Sequence, residues 1–253
     1  MKITEIDKLI TNKYPLKRQE TWDESGLCYL VDPSTIVSGV FICLDLTKEI
    51  IDLAIKSEIN FIISHHPIFL KNKEIKPTKY ELEMLKMLKD HKISFASYHT
   101  NIDNAPNGIN MFIAEQLNLH QIKNIVGTGI VTGKINFAYR PKVFASTLKN
   151  TFNLERIIYA SEKLVKTIAI YAGTGFNILR ENLPKLKDVD LLVTGDVKWH
   201  DWQFAKLHEI DVMDAGHDLE NTFIELITKL ISENVKLLKI QTAPSRQEIK
   251  IVI

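Results

Sequence analysis

The amino-acid sequence predicts an α/β protein built of two pseudo-duplicated α/β lobes with mainly parallel sheets. Apolar, strand-like runs alternate with amphipathic, helix-like segments, an order that is typical of parallel sheets. The alternation occurs once in each half of the 253 residues, with a period far longer than that of a solenoid repeat. We therefore expect a first lobe over residues 1–125 and a second over residues 126–253. The boundary is approximate, and a return of the C-terminal strand to the first lobe stays open.

The first half begins with a nearly unbroken apolar run at residues 37–46, which indicates a buried strand. Thr47 then caps a helix whose apolar positions, among them Ile51 and Ala54, share one face. The remaining predicted elements are a strand at 59–64, a helix at 78–90, a strand at 93–98 and a helix near 109–117.

The second half repeats this pattern after a connection at residues 127–154, which is glycine-rich and is expected to consist of hairpins. Its predicted elements are strands at 166–172, 189–193 and 211–214, a short helix near Asn177, and helices at 201–208 and 221–231. Residues 248–253 are expected to form a final strand.

Charge and cysteine usage restrict the function classes. Thirty-two basic and thirty-one acidic residues leave a net charge of +1, so no long-range field favours nucleic acid or an anionic membrane. The two cysteines, Cys28 and Cys43, are expected to be buried free thiols of a reducing compartment. No apolar run predicts a signal peptide or a membrane span. We expect a cytoplasmic protein without nucleic-acid or membrane partners.

Side chains that can bind metals follow the predicted strands. Ligands of an open α/β sheet bind beyond the carboxyl ends of the strands, so these positions define the candidate site. Five of the eight histidines lie there. The candidates are His65 and His66 after 59–64, His99 and Asp103 after 93–98, His200 after 189–193, and His217 and Glu220 after 211–214.

Imidazoles and carboxylates that converge in this way favour a metal site, because a cation would neutralise charges that are otherwise unpaired. His65 and His66 could each bind a different ion, with Asp103 and Glu220 as candidate bridging carboxylates. The expected cofactors are two divalent ions, which this ligand set leaves open as zinc, manganese or iron. For His99 and for His200, orientation of a ligand or substrate and simple capping of a strand end are equally compatible interpretations.

Three other features have structural interpretations. The glycines contain neither GxGxxG nor GxxxxGK[ST], so no phosphate-binding loop is predicted. The segment that starts at Trp22 is expected to fix a buried loop, with Trp22 and Gly26 as structural residues. Asp196 is expected to start a helix or to hold a hydrogen bond behind the site.

Five segments follow one another along the chain: WDESGL from Trp22, SHHPIF from Ser64, HTNIDNAPNGIN from His99, TGDVKWH from Thr194 and DAGHDLEN from Asp214. Together they resemble the Nif-three-like family, whose members are often labelled GTP cyclohydrolase I type 2 homologues. The resemblance implies two-lobed subunits of the short form, which lacks an inserted middle domain, assembled into toroidal homohexamers. It also implies a dinuclear metal centre, with metal ligands at His65, His66, Asp103, His217 and Glu220.

Two positions depart from the family pattern. In the family, the glutamate usually lies four residues after the last histidine. Here Glu220 lies three residues after His217, and Asn221 occupies the usual position of the glutamate. The usual TGE is TGD here, so the carboxylate of Asp196 is one methylene shorter. His200 matches a histidine that is common in the family.

The resemblance implies hydrolytic opening of the guanine ring of GTP, with metal-activated water and with His99 and His200 as candidate catalytic residues. The sequence itself shows no guanine pocket. Three functions therefore stay open: a metal-dependent hydrolase of a nucleotide or phosphate compound, a non-enzymatic metal-binding or delivery protein, and a ring-shaped interaction protein.

Overall fold

A computed structural model of the chain describes residues 1–68 and 76–243. The helices are α1 Ile3–Lys13, α2 Lys48–Lys56, α3 Lys79–Asp90, α4 Thr100–Asp103, α5 Ile109–Gln116, α6 Pro141–Phe152, α7 Phe176–Glu181, α8 Trp199–Leu207 and α9 Thr222–Asn234. The strands are β1 Gly26–Tyr29, β2 Val40–Cys43, β3 Phe61–Ser64, β4 Ser94–Ser97, β5 His120–Asn124, β6 Val131–Tyr139, β7 Ile158–Tyr159, β8 Val165–Ile170, β9 Leu191–Thr194, β10 Val212–Asp214 and β11 Ile240–Ala243. The strand expected at 248–253 lies outside the described residues.

The chain divides into two compact units. The first combines Met1–Ile102 with the chain from Phe223 onward, and the second is Asp103–Thr222. This division differs from the boundary expected near residue 125, because α5 packs on β6 and β8 and β5 pairs with β6. The chain returns to the first unit at the start of α9, and β11, which follows this helix, pairs with β2.

The first unit contains a five-stranded sheet in the order β1-β4-β3-β2-β11. Strands β4, β3, β2 and β11 are parallel, and β1 is antiparallel to β4. Strands β2, β3 and β4 are buried along their whole length, which agrees with the apolar runs of β2 and β3, whereas β4 has a buried serine at each end. The predicted cap of α2 is confirmed, since Thr47 Oγ1 accepts a hydrogen bond from the Ile50 backbone N–H at 3.3 Å.

The second unit contains a six-stranded sheet in the order β5-β6-β8-β9-β10-β7. Strands β8, β9 and β10 are parallel, whereas the pairs β5–β6, β6–β8 and β10–β7 are antiparallel. The sheet is therefore mixed. Its antiparallel part begins with a hairpin whose turn contains Gly127 and Gly129, both with positive φ.

The prediction of hairpins for residues 127–154 is wrong for the second part of that segment. Residues Pro141–Phe152 form α6, with Pro141 in the first turn and Phe144 and Leu148 buried on one face. Asn153 ends the helix in the left-handed conformation. Phe144 and Leu148 lie four residues apart, a spacing that indicates a helix. The glycine-rich stretch before them obscured this signal.

Both units contain the same strand–helix–strand–helix–strand connection. In the first it is β2-α2-β3-α3-β4, and in the second it is β8-α7-β9-α8-β10. This shared connectivity confirms the predicted α/β fold and its pseudo-duplication. Among the helices described, none has the length and apolar character that crossing a bilayer requires.

Candidate metal centre

Three histidines lie together at the carboxyl edge of the first sheet. His65 and His66 directly follow β3, and His99 follows β4, which is the parallel neighbour of β3. One ring nitrogen from each histidine lies within 4.8 Å of the others, and the ring centroids are 4.9 to 5.3 Å apart. Three imidazoles at this spacing could hold a metal ion.

An oxygen acceptor orients each of these imidazoles through its Nδ1 atom. The distances are 2.9 Å from His65 to the Tyr98 carbonyl, 2.7 Å from His66 to Asp45 Oδ1 and 3.1 Å from His99 to Asp23 Oδ1. Carbonyl and carboxylate oxygens only accept, so Nδ1 carries the hydrogen and Nε2 carries the lone pair. Metal-binding histidines are typically held in this way.

Sequence patterns did not single out Asp23 and Asp45 as functional candidates. Asp45 follows the buried strand β2, so its position beyond a strand end was the available signal. Asp23 lies in the loop for which a structural role was predicted, and only 1% of it is exposed. Burial raises the pKa of this carboxyl, but hydrogen bonds with His99, Thr100 and Ser25 and the charge of His99 outweigh burial and hold the pKa well below its usual range.

The segment that starts at Trp22 was predicted to fix a buried loop, and the exposure of Trp22 departs from this prediction. Trp22 is 47% exposed, and its ring centroid lies 5.7 Å from that of His99 in an edge-to-face arrangement. Its neighbour Asp23 anchors the loop instead. Prediction failed here because an aromatic residue in a loop is usually buried, and the sequence does not show which loop side chain faces inward.

A second donor set lies beyond the strand ends of the second unit. His217 follows β10, and Asp196 follows β9, the parallel neighbour of β10. His217 Nδ1 lies 2.6 Å from Asp196 Oδ2, and Nε2 lies 2.9 Å from Glu220 Oε2. The hydrogen bonds to Asp196 and Glu220 raise the pKa of His217 to about 11. The imidazole of His217 and the carboxylate of Glu220 are both ligand types that suit a divalent cation.

The three-residue spacing between His217 and Glu220 follows from the local backbone. Residues His217–Asn221 form a 3-10 helix, in which side chains three positions apart eclipse one another. Glu220 therefore shares a face with His217, as the 2.9 Å contact shows. Asn221, at the spacing usual in the family, donates instead from Nδ2 to the Asp218 carbonyl.

A glycine provides the space for Glu220. Gly173 lies just beyond β8 with φ of +66°, and a Cβ atom there would be 2.0 Å from Glu220 Oε1. Any side chain at this position would displace the carboxylate. Glu220 itself is 4% exposed, so a metal ion there would bind a buried carboxylate.

Asp103 is the last residue of α4 and is 5% exposed. Its carbonyl accepts a hydrogen bond at 3.1 Å from Nδ2 of Asn110, a fully buried residue that also donates to the Gly129 carbonyl. Asn110 Oδ1 accepts from the backbone N–H of Ala172 at 2.8 Å. Asn110 thus fixes the backbone beside Asp103, a role that its position in a predicted helix did not reveal.

Comparison with known proteins identifies the family. The family model Duf34/NIF3 (NGG1p interacting factor 3) matches residues 1–248. The chain belongs to the DUF34/NIF3 family. It is 29% identical over 234 residues to a GTP cyclohydrolase 1 type 2 homolog of Ureaplasma parvum, covering 90% of this chain and 88% of the relative. It is 28% identical over 218 residues to a Helicobacter pylori protein named GTP cyclohydrolase 1 type 2, covering 85% of each.

Solved structures share the fold of this DUF34/NIF3 chain. Staphylococcus aureus protein SA1388 matches with a TM-score of 0.86 at 24% identity, covering 100% of this chain and 99% of that one. Reduced HcgD from Methanocaldococcus jannaschii matches with a TM-score of 0.81 at 24% identity, covering 96% and 97%. At these identities the likeness shows the fold alone.

The remaining predictions concern His200, Asp196 and the two cysteines. His200 is not at a strand end: it lies in the first turn of α8, its side chain is 72% exposed, and Nε2 is 3.3 Å from Asp201 Oδ1. Asp196 holds the hydrogen bond to His217, despite its shorter side chain. Cys43 is buried as expected, whereas Cys28 is exposed.

Proposed function

We propose that this DUF34/NIF3 protein binds a pair of divalent metal ions and uses them to hydrolyse a nucleotide or a related phosphate compound. The proposed metal ligands are His65, His66, Asp103, His217 and Glu220. One observation carries the proposal: Nδ1 of His65, of His66 and of His217 is held by an oxygen acceptor. In metal-binding histidines that are held in this way, Nε2 is the nitrogen that binds the metal.

The donor chemistry fits divalent cations. His65 is fully buried, and Asp103 and Glu220 are 5% and 4% exposed. A partner of opposite charge stabilises a buried carboxylate, and a coordinated divalent cation is such a partner. Imidazole and carboxylate ligands without thiolate suit zinc, manganese or iron.

Hydrolysis is the chemistry that this ligand type supports best. When bound, such ions lower the pKa of a water molecule and polarise a phosphoryl or carbonyl oxygen. One ring nitrogen of His99 lies within 4.8 Å of a ring nitrogen of His65 and of His66, but His99 is proposed to move protons rather than to bind metal. The names of the relatives make GTP the first substrate to test.

The test is turnover by protein of verified metal content. Purified protein loaded separately with zinc, manganese or iron is assayed with GTP and with a panel of phosphomonoesters and phosphodiesters. We expect turnover that His66→Ala abolishes and that His120→Ala, at an exposed histidine of β5, retains. Fully loaded protein that leaves every substrate unchanged would rule out the hydrolase and leave a metal-binding or delivery protein.

We further propose that the protein acts as a homohexamer in the cytoplasm, which the family resemblance supports. One chain has a mass of 29.0 kDa, and the hexamer has six times that mass. Sedimentation velocity at micromolar concentration distinguishes the hexamer from a single chain. A single species of one-chain mass would contradict the hexamer.

A further inference from the structure

We propose that Asp23 is a positioning residue that fixes the tautomer and orientation of His99, so that His99 Nε2 transfers protons in the reaction. The assignment rests on the proposed hydrolase, because it gives His99 its role there. It adds a residue from the first loop of the chain to the site.

The carboxylate of Asp23 is held at both oxygens. Oδ1 accepts from the Glu24 N–H at 2.8 Å as well as from His99. Oδ2 accepts from Ser25 Oγ at 2.9 Å, from the Thr100 N–H at 3.0 Å and from Thr100 Oγ1. With its side chain fully buried, Asp23 has no room to rotate away from His99. It is a fixed anion beside Nδ1.

The same loop also holds the backbone of His99. Its N–H donates to Ser25 Oγ at 3.0 Å, and that hydroxyl in turn donates to Asp23. The His99 ring lies 5.7 Å from Trp22 and 5.0 Å from His65 by ring centroids. Both the backbone and the ring of His99 are therefore fixed before a substrate binds, which is what efficient proton transfer requires.

The proton movements balance. His99 Nε2 accepts a proton from the attacking water while the water oxygen forms a bond to the phosphorus or carbonyl carbon of the substrate. The bond to the leaving group then breaks, and Nε2 returns the proton to it. Between the two transfers His99 is an imidazolium, which the buried Asp23 carboxylate stabilises.

Asp45 and His66 provide a matched pair for comparison. Their Nδ1–carboxylate distance is 2.7 Å, but the Asp45 side chain is 41% exposed. Asp45 orients a proposed metal ligand, whereas Asp23 orients a proton-transfer group. Neutralising Asp45 should therefore lower metal affinity, and neutralising Asp23 should not.

The direct test is the tautomer of His99 in metal-free Asp23→Asn. Three donors face Oδ2, whereas among the described residues only the Glu24 N–H donates to Oδ1 besides His99. The amide oxygen of Asn therefore takes the Oδ2 side, and its NH2 group faces His99 Nδ1. His99 must then move its hydrogen from Nδ1 to Nε2. Nitrogen-15 NMR of histidine-labelled protein at alkaline pH is expected to show Nδ1–H in the parent protein and Nε2–H in the variant. The same tautomer in both would overturn the proposal.

Kinetics of the metal-loaded protein give the second readout. We expect Asp23→Asn to lower kcat by about 10²- to 10⁴-fold with KM nearly unchanged, as when the aspartate of a catalytic triad is replaced. Metal content should be unchanged in Asp23→Asn and reduced in Asp45→Asn. Equal metal loss in both would make His99 a metal ligand and refute the assignment.

His99→Gln keeps the test decisive if Asp23→Asn folds poorly. It leaves the buried carboxylate in place and should lose kcat to the same extent with full metal content. In the His99→Gln background, Asp23→Asn should have no further effect, because the two residues act as one unit. If the parent protein turns over no substrate, the hydrolase fails, while the NMR result still decides whether Asp23 positions His99.

Discussion

Gly173 and Glu220 are in direct contact: a Cβ atom at residue 173 would lie 2.0 Å from Glu220 Oε1 and 3.0 Å from its Cδ. The carboxylate thus occupies the volume that any other residue at position 173 would fill. Gly173 also has φ of +66°, where L side chains are strained. The placement of a proposed metal ligand therefore depends on a glycine 47 residues earlier in the chain.

Gly173→Ala should weaken metal binding by at least about tenfold, the effect typical of disturbing a group that supports a metal ligand. The methyl group must displace the Glu220 carboxylate from its position beside His217. Gly127→Ala is the matched control, because Gly127 has φ of +80° but a Cβ atom there would meet no other atom within 4 Å. It should cost about 1 kcal/mol of stability and leave metal affinity unchanged. Competition with a chromogenic chelator measures both affinities, and equal losses would contradict the role of Gly173.

The 3-10 turn predicts which residue can replace Glu220. Glu220→Ala should lose metal, and adding Asn221→Glu should not restore it, because a side chain four positions after His217 does not eclipse it in a 3-10 helix. Metal content per chain after dialysis provides the readout. Recovery in the double variant would show that the turn adopts α-helical spacing when metal binds.

Acid stability should report the buried carboxylate of Asp23. Its pKa is lowered in the folded protein from the ordinary value of 3.8, so its ionised form stabilises the fold above about that pH. This stabilisation is lost as pH falls below 3.8 toward the folded pKa. Between about pH 4 and pH 2 the free energy of unfolding should fall more steeply for the parent protein than for Asp23→Asn. Urea unfolding at each pH tests this, with Asp52→Asn on the exposed face of α2 as the control, and parallel slopes would argue against it.

Local patterns predicted most of the parallel strands and their helices. Strand β3 and its histidines follow from a continuous apolar run and the chemistry at its end, because burial on both faces requires such a run. Helix α6 was missed, since its two buried positions, Phe144 and Leu148, follow a glycine-rich hairpin. Short amphipathic segments give a weak signal when turn residues surround them.

The residues that support the site were harder to predict than the proposed ligands. Asp23, Asp45 and Asn110 make contacts with His99, His66 and Ala172, which are distant in sequence, and only the folded chain shows these contacts. Asp23 lies 76 residues from the imidazole that it orients. A histidine at the end of a strand can be recognised from the sequence as a candidate metal ligand. A carboxylate in a loop cannot, because most such carboxylates are solvent-exposed and have no functional role.

Elemental analysis of protein purified without added metal tests the central claim most directly. The parent protein, His65→Ala and Asp103→Ala are compared with His120→Ala and Asp52→Ala, whose residues are exposed in the described structure. We predict about two divalent ions per chain in the parent protein and both controls, and a clear loss in His65→Ala and Asp103→Ala. Equal metal content in all five proteins, or none in the parent after incubation with zinc, manganese and iron, would contradict the assignment of these residues as metal ligands.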